Sequence, residues 1–205
     1  PATLDDACKG IDIICHFAGA LGRGLTDDMV YAINVKSLKN FLLSAKKNNV
    51  KYFLHISSAA VVGPMEDEIP ANETTKCHPY TIYEKTKLEG EELALSFAKQ
   101  IGLALGIARP TFTYGPGDPH KLLMFKLIKK RLFFYIGDGK STNHPVYIDD
   151  LLDGIMLMIK QKPVQEVFIL GGNIPVTKKQ WAETVAKSVN VKPPYIYLPL
   201  KFILG

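Results

Sequence analysis

Apolar residues in this chain fall into two kinds of pattern. Short, mainly apolar runs occupy residues 11–17, 52–56 and 103–108, each bounded by polar or turn-forming residues. Runs of this length suit strands buried on both faces of a parallel sheet. Between them the apolar positions recur every three or four residues. In residues 27–49, Val30, Ile33, Leu38, Phe41, Leu42 and Ala45 keep helical spacing. The stretch 79–92 is rich in good helix formers, among them Glu84, Lys85, Lys87, Leu88, Glu89 and Glu91. Further helices are expected over 121–130, with Leu122, Leu123, Phe125 and Ile128 turned inward, over 149–160, and over 178–189 behind a Thr177 cap. A returning strand is expected at Glu166–Leu170, followed by a Gly171-Gly172-Asn173 turn. Strands alternating with helices predict an α/β fold with a doubly wound parallel sheet.

The ends of the predicted strands carry the candidate chemistry. In open α/β sheets the ligand crevice lies beyond the carboxyl ends of the strands. The first run ends in Ala18, Gly19 and Ala20, whose near-absence of side chain lets a flat ligand approach the backbone. The second ends in Ser57 and Ser58, which either terminate the strand or hold a substrate oxygen. The third runs into Pro110 and Thr111, then into Gly115-Pro116-Gly117, which break regular structure. On the helix beyond the second strand, Tyr83 and Lys87 are four residues apart and so share one face. An ammonium beside a phenol favours the phenolate, which equips a Tyr to exchange a proton with a substrate hydroxyl.

Four motifs in order, His16-Phe-Ala-Gly19, Ser57-Ser-Ala-Ala-Val-Val-Gly63, Tyr83-Glu-Lys-Thr-Lys87 and Arg109-Pro-Thr-Phe-Thr-Tyr-Gly-Pro116, resemble the extended short-chain dehydrogenases/reductases of the NAD-dependent epimerase/dehydratase superfamily. A looser fifth, Ile136-Gly-Asp-Gly139 with His144-Pro-Val-Tyr-Ile-Asp-Asp150, agrees. The resemblance implies a Rossmann-like sheet with a small carboxyl-terminal substrate-binding lobe. Residues 1–118 would form part of the dinucleotide-binding core and 119–205 mainly the lobe, with a segment near 145–170 returning to the core. It implies NAD or NADP as cofactor and hydride transfer as the reaction. Catalytic roles fall to Ser58, Tyr83 and Lys87, with Lys87 lowering the Tyr83 pKa and bonding the nicotinamide ribose. Ala18, Gly19, Ser57, Tyr83, Lys87, Pro110 and Thr111 would line the cofactor. Asn34 would fix the active-site backbone and a water. The glycine-rich turn that opens such chains has no counterpart here, so the chain is expected to lack the first two strands and their helices.

Departures from the pattern bear on the reaction. Ser58-Ala59-Ala60 stands where sugar-nucleotide dehydratases resemble Thr-Asp-Glu, which argues against water elimination. Phe112 stands where sugar-nucleotide epimerases usually have Asn, and Val62 where they tend to have Tyr. The expectation is therefore an alcohol/ketone oxidoreductase acting on a fairly apolar small molecule. A nucleotide-sugar epimerase and a non-catalytic nucleotide-binding relative are the alternatives. The resemblance also makes a homodimer through the helices of 27–49 and 80–101 plausible.

Composition narrows the classes. The 205 residues are 47% hydrophobic, ordinary for a globular chain, and hold no apolar run of membrane-spanning length. Three unpatterned cysteines, Cys8, Cys15 and Cys77, fit free thiols in a reducing cytoplasm. The net charge of +5 is densest at Lys126, Lys129, Lys130 and Arg131, read as the solvated face of a helix rather than a nucleic-acid patch. The five His show no zinc-ligand spacing, and His16 is expected to be structural, so no metal is implied.

Overall fold

The computed structural model describes residues 2–65 and 70–199. In chain order the elements are α1 (Ala2–Cys8), β1 (Ile13–His16), α2 (Asp27–Tyr31), α3 (Ser37–Lys47), β2 (Tyr52–Ile56), α4 (Ile82–Ile101), β3 (Leu105–Pro110) and β4 (Phe112–Tyr114). They continue as α5 (Pro119–Lys129), β5 (Tyr135–Ile136), β6 (Thr142–Asn143), β7 (Pro145–Tyr147), α6 (Ile148–Gln161), β8 (Glu166–Leu170), β9 (Val176–Thr177), α7 (Lys178–Ser188) and β10 (Tyr197–Leu198). A π turn, Ala32–Lys36, joins α2 to α3, and a 3-10 turn, Ala59–Val62, follows β2.

The chain divides into two compact units, one of Pro1–Thr111 with Leu152–Leu170 and the other of Phe112–Leu151 with Gly171–Gly205. Leu152–Leu170 thus groups with the first unit and Phe112–Leu151 with the second.

The first unit is built on a parallel four-stranded sheet in the order β1-β2-β3-β8, the Rossmann-like arrangement. Cys15, Leu54, Gly106 and Glu166 lie side by side across it. All five residues of β2 are buried, which is why that run shows no alternation. Leu38, Leu42 and Ala45 of α3 and Ala94 and Ala98 of α4 close over Phe53, Leu105 and Ile107. Each large aliphatic side chain buried this way contributes about 1.5–3 kcal/mol. Thr81 and Glu84 form a reciprocal cap that starts α4, and Gly102, in the left-handed conformation at φ 64°, ends it. A buried ion pair ties α4 to β3: the Arg109 guanidinium donates to both Glu91 carboxylate oxygens at 2.6–3.1 Å.

The helix expected over 27–49 is interrupted. Residues 32–36 widen into the π turn around Asn34, whose side chain bonds outside the helix. Of the long polar loop after Gly63, residues 66–69 lie outside the described residues. Within the described part, His78 N–H donates to the Val62 carbonyl at 3.0 Å, and Glu73 accepts the Ile169 N–H of β8 at 2.9 Å.

In the second unit β4 pairs with β7 and β5 with β10 in parallel, and β6 with β9 antiparallel. Ile128, Tyr135, Ala182, Val185 and Ala186 form its core, with Met124, Phe125 and Trp181 packed against it. Thr177 caps α7 in a capping box with Gln180. The expectation that Leu122 and Leu123 turn inward is corrected: they are 49% and 57% exposed. The inward stripe of α5 runs through Met124, Phe125 and Ile128, at the i, i+3/i+4 spacing, and the two leucines lie off it. Lys126, Lys129, Lys130 and Arg131 are exposed. The final residues 200–205 lie outside the described residues.

Candidate active site

Tyr83 and Lys87 stand one turn apart at the start of α4, where the capped first turn fixes the helix phase. The Lys87 ammonium is buried and donates to the Ile56 carbonyl, the last residue of β2, at 2.6 Å. Burial pushes its pKa down to about 8, opposed by the Glu91 carboxylate. Lys87 is thus anchored to the strand end beside Ser57 and Ser58.

Ser58 caps the 3-10 turn, its hydroxyl accepting the Ala60 N–H at 3.2 Å. The same hydroxyl is within hydrogen-bonding reach of the Tyr83 phenol and favours its phenolate. Burial outweighs this, and the Tyr83 pKa lies above its ordinary value, raised further by Glu84. The direction is opposite to the expected one. Lys87 is held to the Ile56 carbonyl, and it is not among the groups that shift the phenol. Ser57 donates its N–H to the Ala108 carbonyl at 2.7 Å, while its buried hydroxyl has no hydrogen-bond partner among the described residues.

Asn34 is the hinge between α4 and the end of β1. Its side-chain carbonyl accepts the Ala20 N–H at 2.7 Å, and its amide donates to the Ala20 carbonyl at 3.0 Å and to Thr86 Oγ1 at 2.9 Å. The π turn is what brings this amide to the strand end, a frequent use of such turns at functional sites. Gly19 lies beside both: a methyl added there would sit 3.5 Å from Asn34 Oδ1 and 3.7 Å from Lys87 Nζ. Both are ordinary contacts, so packing does not demand glycine there; Ala18 and Gly19 are exposed.

The structure therefore gathers Gly19, Asn34, Ser57, Ser58, Tyr83 and Lys87 at the ends of β1 and β2. Pro110 ends the adjacent β3 and Thr111 follows it, its N–H donating to the Leu170 carbonyl at 3.0 Å.

Three contributors escaped the sequence reading. Thr86 orients the Asn34 amide and bonds the Ile82 carbonyl at 2.8 Å; its only signal is a β-branched polar residue inside a helix. The Ile56 carbonyl has no side-chain signal at all. His16 and His55, paired across β1 and β2, bring their Nδ1 atoms to 3.2 Å in a buried dyad. Burial, then the Lys87 charge, hold His16 down to about 4 and His55 well below the usual range. Among the described residues no group of three or more His, Cys, Asp or Glu could hold a metal ion.

The profile of the NAD dependent epimerase/dehydratase family matches residues 1–171. The chain belongs to that family. It is 23% identical over 205 residues to a 4-hydroxy-2-methyl-3-oxo-4-farnesyl-3,4-dihydroquinoline-1-oxide ketoreductase of Stigmatella aurantiaca, covering 97% of this chain and 60% of the relative. To a decarboxylating sterol-4-alpha-carboxylate 3-dehydrogenase of Candida albicans it is 30% identical over 155 residues, covering 71% and 43%. Among solved structures it resembles UDP-glucuronic acid 4-epimerase of Bacillus cereus in complex with NAD, with a TM-score of 0.85 and 25% identity, covering 97% of this chain and 66% of that one. The family member thus spans about 60% or less of the curated relatives' length. No helix among its described residues is long and apolar enough to cross a membrane.

Proposed function

We propose that this family member is part of an NAD(P)-dependent oxidoreductase that moves hydride between the cofactor and the carbon of a secondary alcohol or ketone. The reading is carried by the convergence of Ser58, Tyr83 and Lys87 on the β2 end, beside the bare backbone of Gly19. Two features fit a dinucleotide. Gly19 presents exposed backbone without a side chain, and the unpartnered Ser57 hydroxyl offers a buried polar contact. Ala18, Gly19, Ser57, Lys87, Pro110 and Thr111 would hold the cofactor, which supplies the hydride donor or acceptor.

The residues then divide the remaining work. Ser58 orients the substrate oxygen. Tyr83, whose raised pKa keeps its proton at neutral pH, hands that proton to a ketone oxygen as the carbonyl carbon is reduced. In the opposite direction Tyr83 takes the proton from the alcohol. Lys87, fixed by the Ile56 carbonyl, offers its remaining donors to the ribose. Asn34 holds the Ala20 backbone in place.

A second reading, nucleotide-sugar epimerisation, is favoured by the likeness to the Bacillus cereus epimerase. Stoichiometric consumption of NAD(P)H with a ketone supports oxidoreduction; interconversion of sugar nucleotides without net cofactor change overturns it. A homodimer belongs to the same proposal, since Met29, Ile33 and Leu43 leave apolar surface exposed on α2, the π turn and α3. Sedimentation of a monomer at micromolar concentration would refute that part.

A further inference from the structure

The second unit contains a cavity of about 540 Å³, within the ~300–1,000 Å³ usual for small-molecule sites. Its walls are the loop from Tyr114 to Pro119, the first turns of α5, and Tyr147 of β7. Tyr114 and Tyr147 meet edge to face at 5.5 Å, and Leu122 and Phe125 supply the α5 side. Leu122, exposed and outside the core of this unit, lines this cavity. Behind the wall, Trp181 packs against Tyr114 at 4.7 Å, Phe112 at 5.8 Å and Phe125 at 6.4 Å.

The charge of the wall is already cancelled. Among the described residues lining the cavity, Lys121 is the one cation and Asp118 the one anion. They form an ion pair at 2.7 Å, and Asp118 also accepts the Lys121 N–H at 3.1 Å. The same ammonium lies 4.9 Å over the Phe112 ring. A diphosphate requires charge-assisted donors, and here it would have to take its cation from both partners. A neutral ring system requires only the aromatic and aliphatic walls.

We infer that this cavity binds a neutral, fused-ring apolar molecule rather than a nucleoside diphosphate. The ligand class follows from the cavity alone; that this ligand is also the molecule oxidised or reduced rests on the function proposed above. The chain contains a single tryptophan, so Trp181 emission reports on this wall without any turnover. Progesterone, a neutral tetracyclic ketone, should change that emission saturably, while UDP-glucose at millimolar concentration should not. Leu122→Asp should weaken progesterone binding ~10-fold or more, the scale of one lost apolar contact, and Lys121→Met should leave it within about threefold, since no charge is recognised. The inference is overturned if progesterone leaves Trp181 unmoved, if its binding is unchanged in Leu122→Asp, or if UDP-glucose binds and Lys121→Met abolishes that binding. Progesterone binding without NAD(P)H-linked turnover would keep the cavity assignment and count against the reaction alone.

Discussion

At the residue scale, two side chains four positions apart do opposite things to stability and chemistry. Tyr83→Phe removes one oxygen and should lower turnover ~10²- to 10⁴-fold, the usual range for a proton-transfer group, with cofactor affinity unchanged by titration. Turnover within a few-fold of the parent would refute the role. Lys87 is a buried cation whose pKa is depressed, so its desolvation opposes folding while it is charged. Lys87→Met should therefore abolish activity yet raise stability at pH 7 by roughly 1–2 kcal/mol, a shift of a few degrees in Tm by calorimetry. The sign fixes the pH dependence. Between about 8 and 10.5 the unfolded chain binds the proton that the folded chain has shed, so the parent gains stability and the variant's advantage shrinks. The Tyr83–Lys87 pair was legible because helical spacing is a local rule. The fate of the Lys87 proton was not, because it depends on a strand-end carbonyl 31 positions away.

At the element scale, α4 is pinned from two sides. Gly90 faces the π turn, where an added Cβ would already stand 3.1 Å from the Asn34 carbonyl and 3.7 Å from Leu38 Cδ2. Gly90→Val should destabilise by about 1–3 kcal/mol through overpacking, read from urea midpoints, and should loosen Asn34 with it. Farther along, Glu91 neutralises Arg109 in the interior. Glu91→Gln leaves a buried guanidinium unpaired and should cost roughly 3–5 kcal/mol, whereas replacing both residues by apolar ones of similar size should cost far less. The positions of β2, β8 and α7 were readable from apolar runs and a capping threonine. The π turn was not: Val30, Leu38, Leu42 and Ala45 keep helical spacing across it, and the widening answers a bond to Ala20 made outside the helix. The inward face of α5 was misjudged for a related reason. Periodicity alone does not say which of four apolar residues meets α7 and which lines a cavity.

At the scale of the whole molecule, the buried His16–His55 dyad ties global stability to pH. Both folded pKa values lie below the unfolded value near 6.5, so the unfolded chain binds more protons between about 4 and 6.5. The dyad's own contribution to stability should be flat above that window and fall by on the order of 3 kcal/mol for His16 alone as pH drops through it. The His16→Leu/His55→Leu pair should flatten the urea midpoint across the same window; an unchanged slope would assign it to other groups. The parallel sheet and family were legible from ordered motifs spread along the chain, whereas the residue bounds of the two units depend on contacts between segments far apart in sequence, such as Leu152–Leu170 with the sheet begun far earlier. One constraint on insertions and deletions follows from residues 32–36. Excising a single position there would let the backbone regain ordinary 13-atom rings and make a more regular rod. It would also swing Asn34 about 100° around the axis, away from the Ala20 backbone that it clasps. A shorter chain would thus gain local order by surrendering the grip that shapes its strand end.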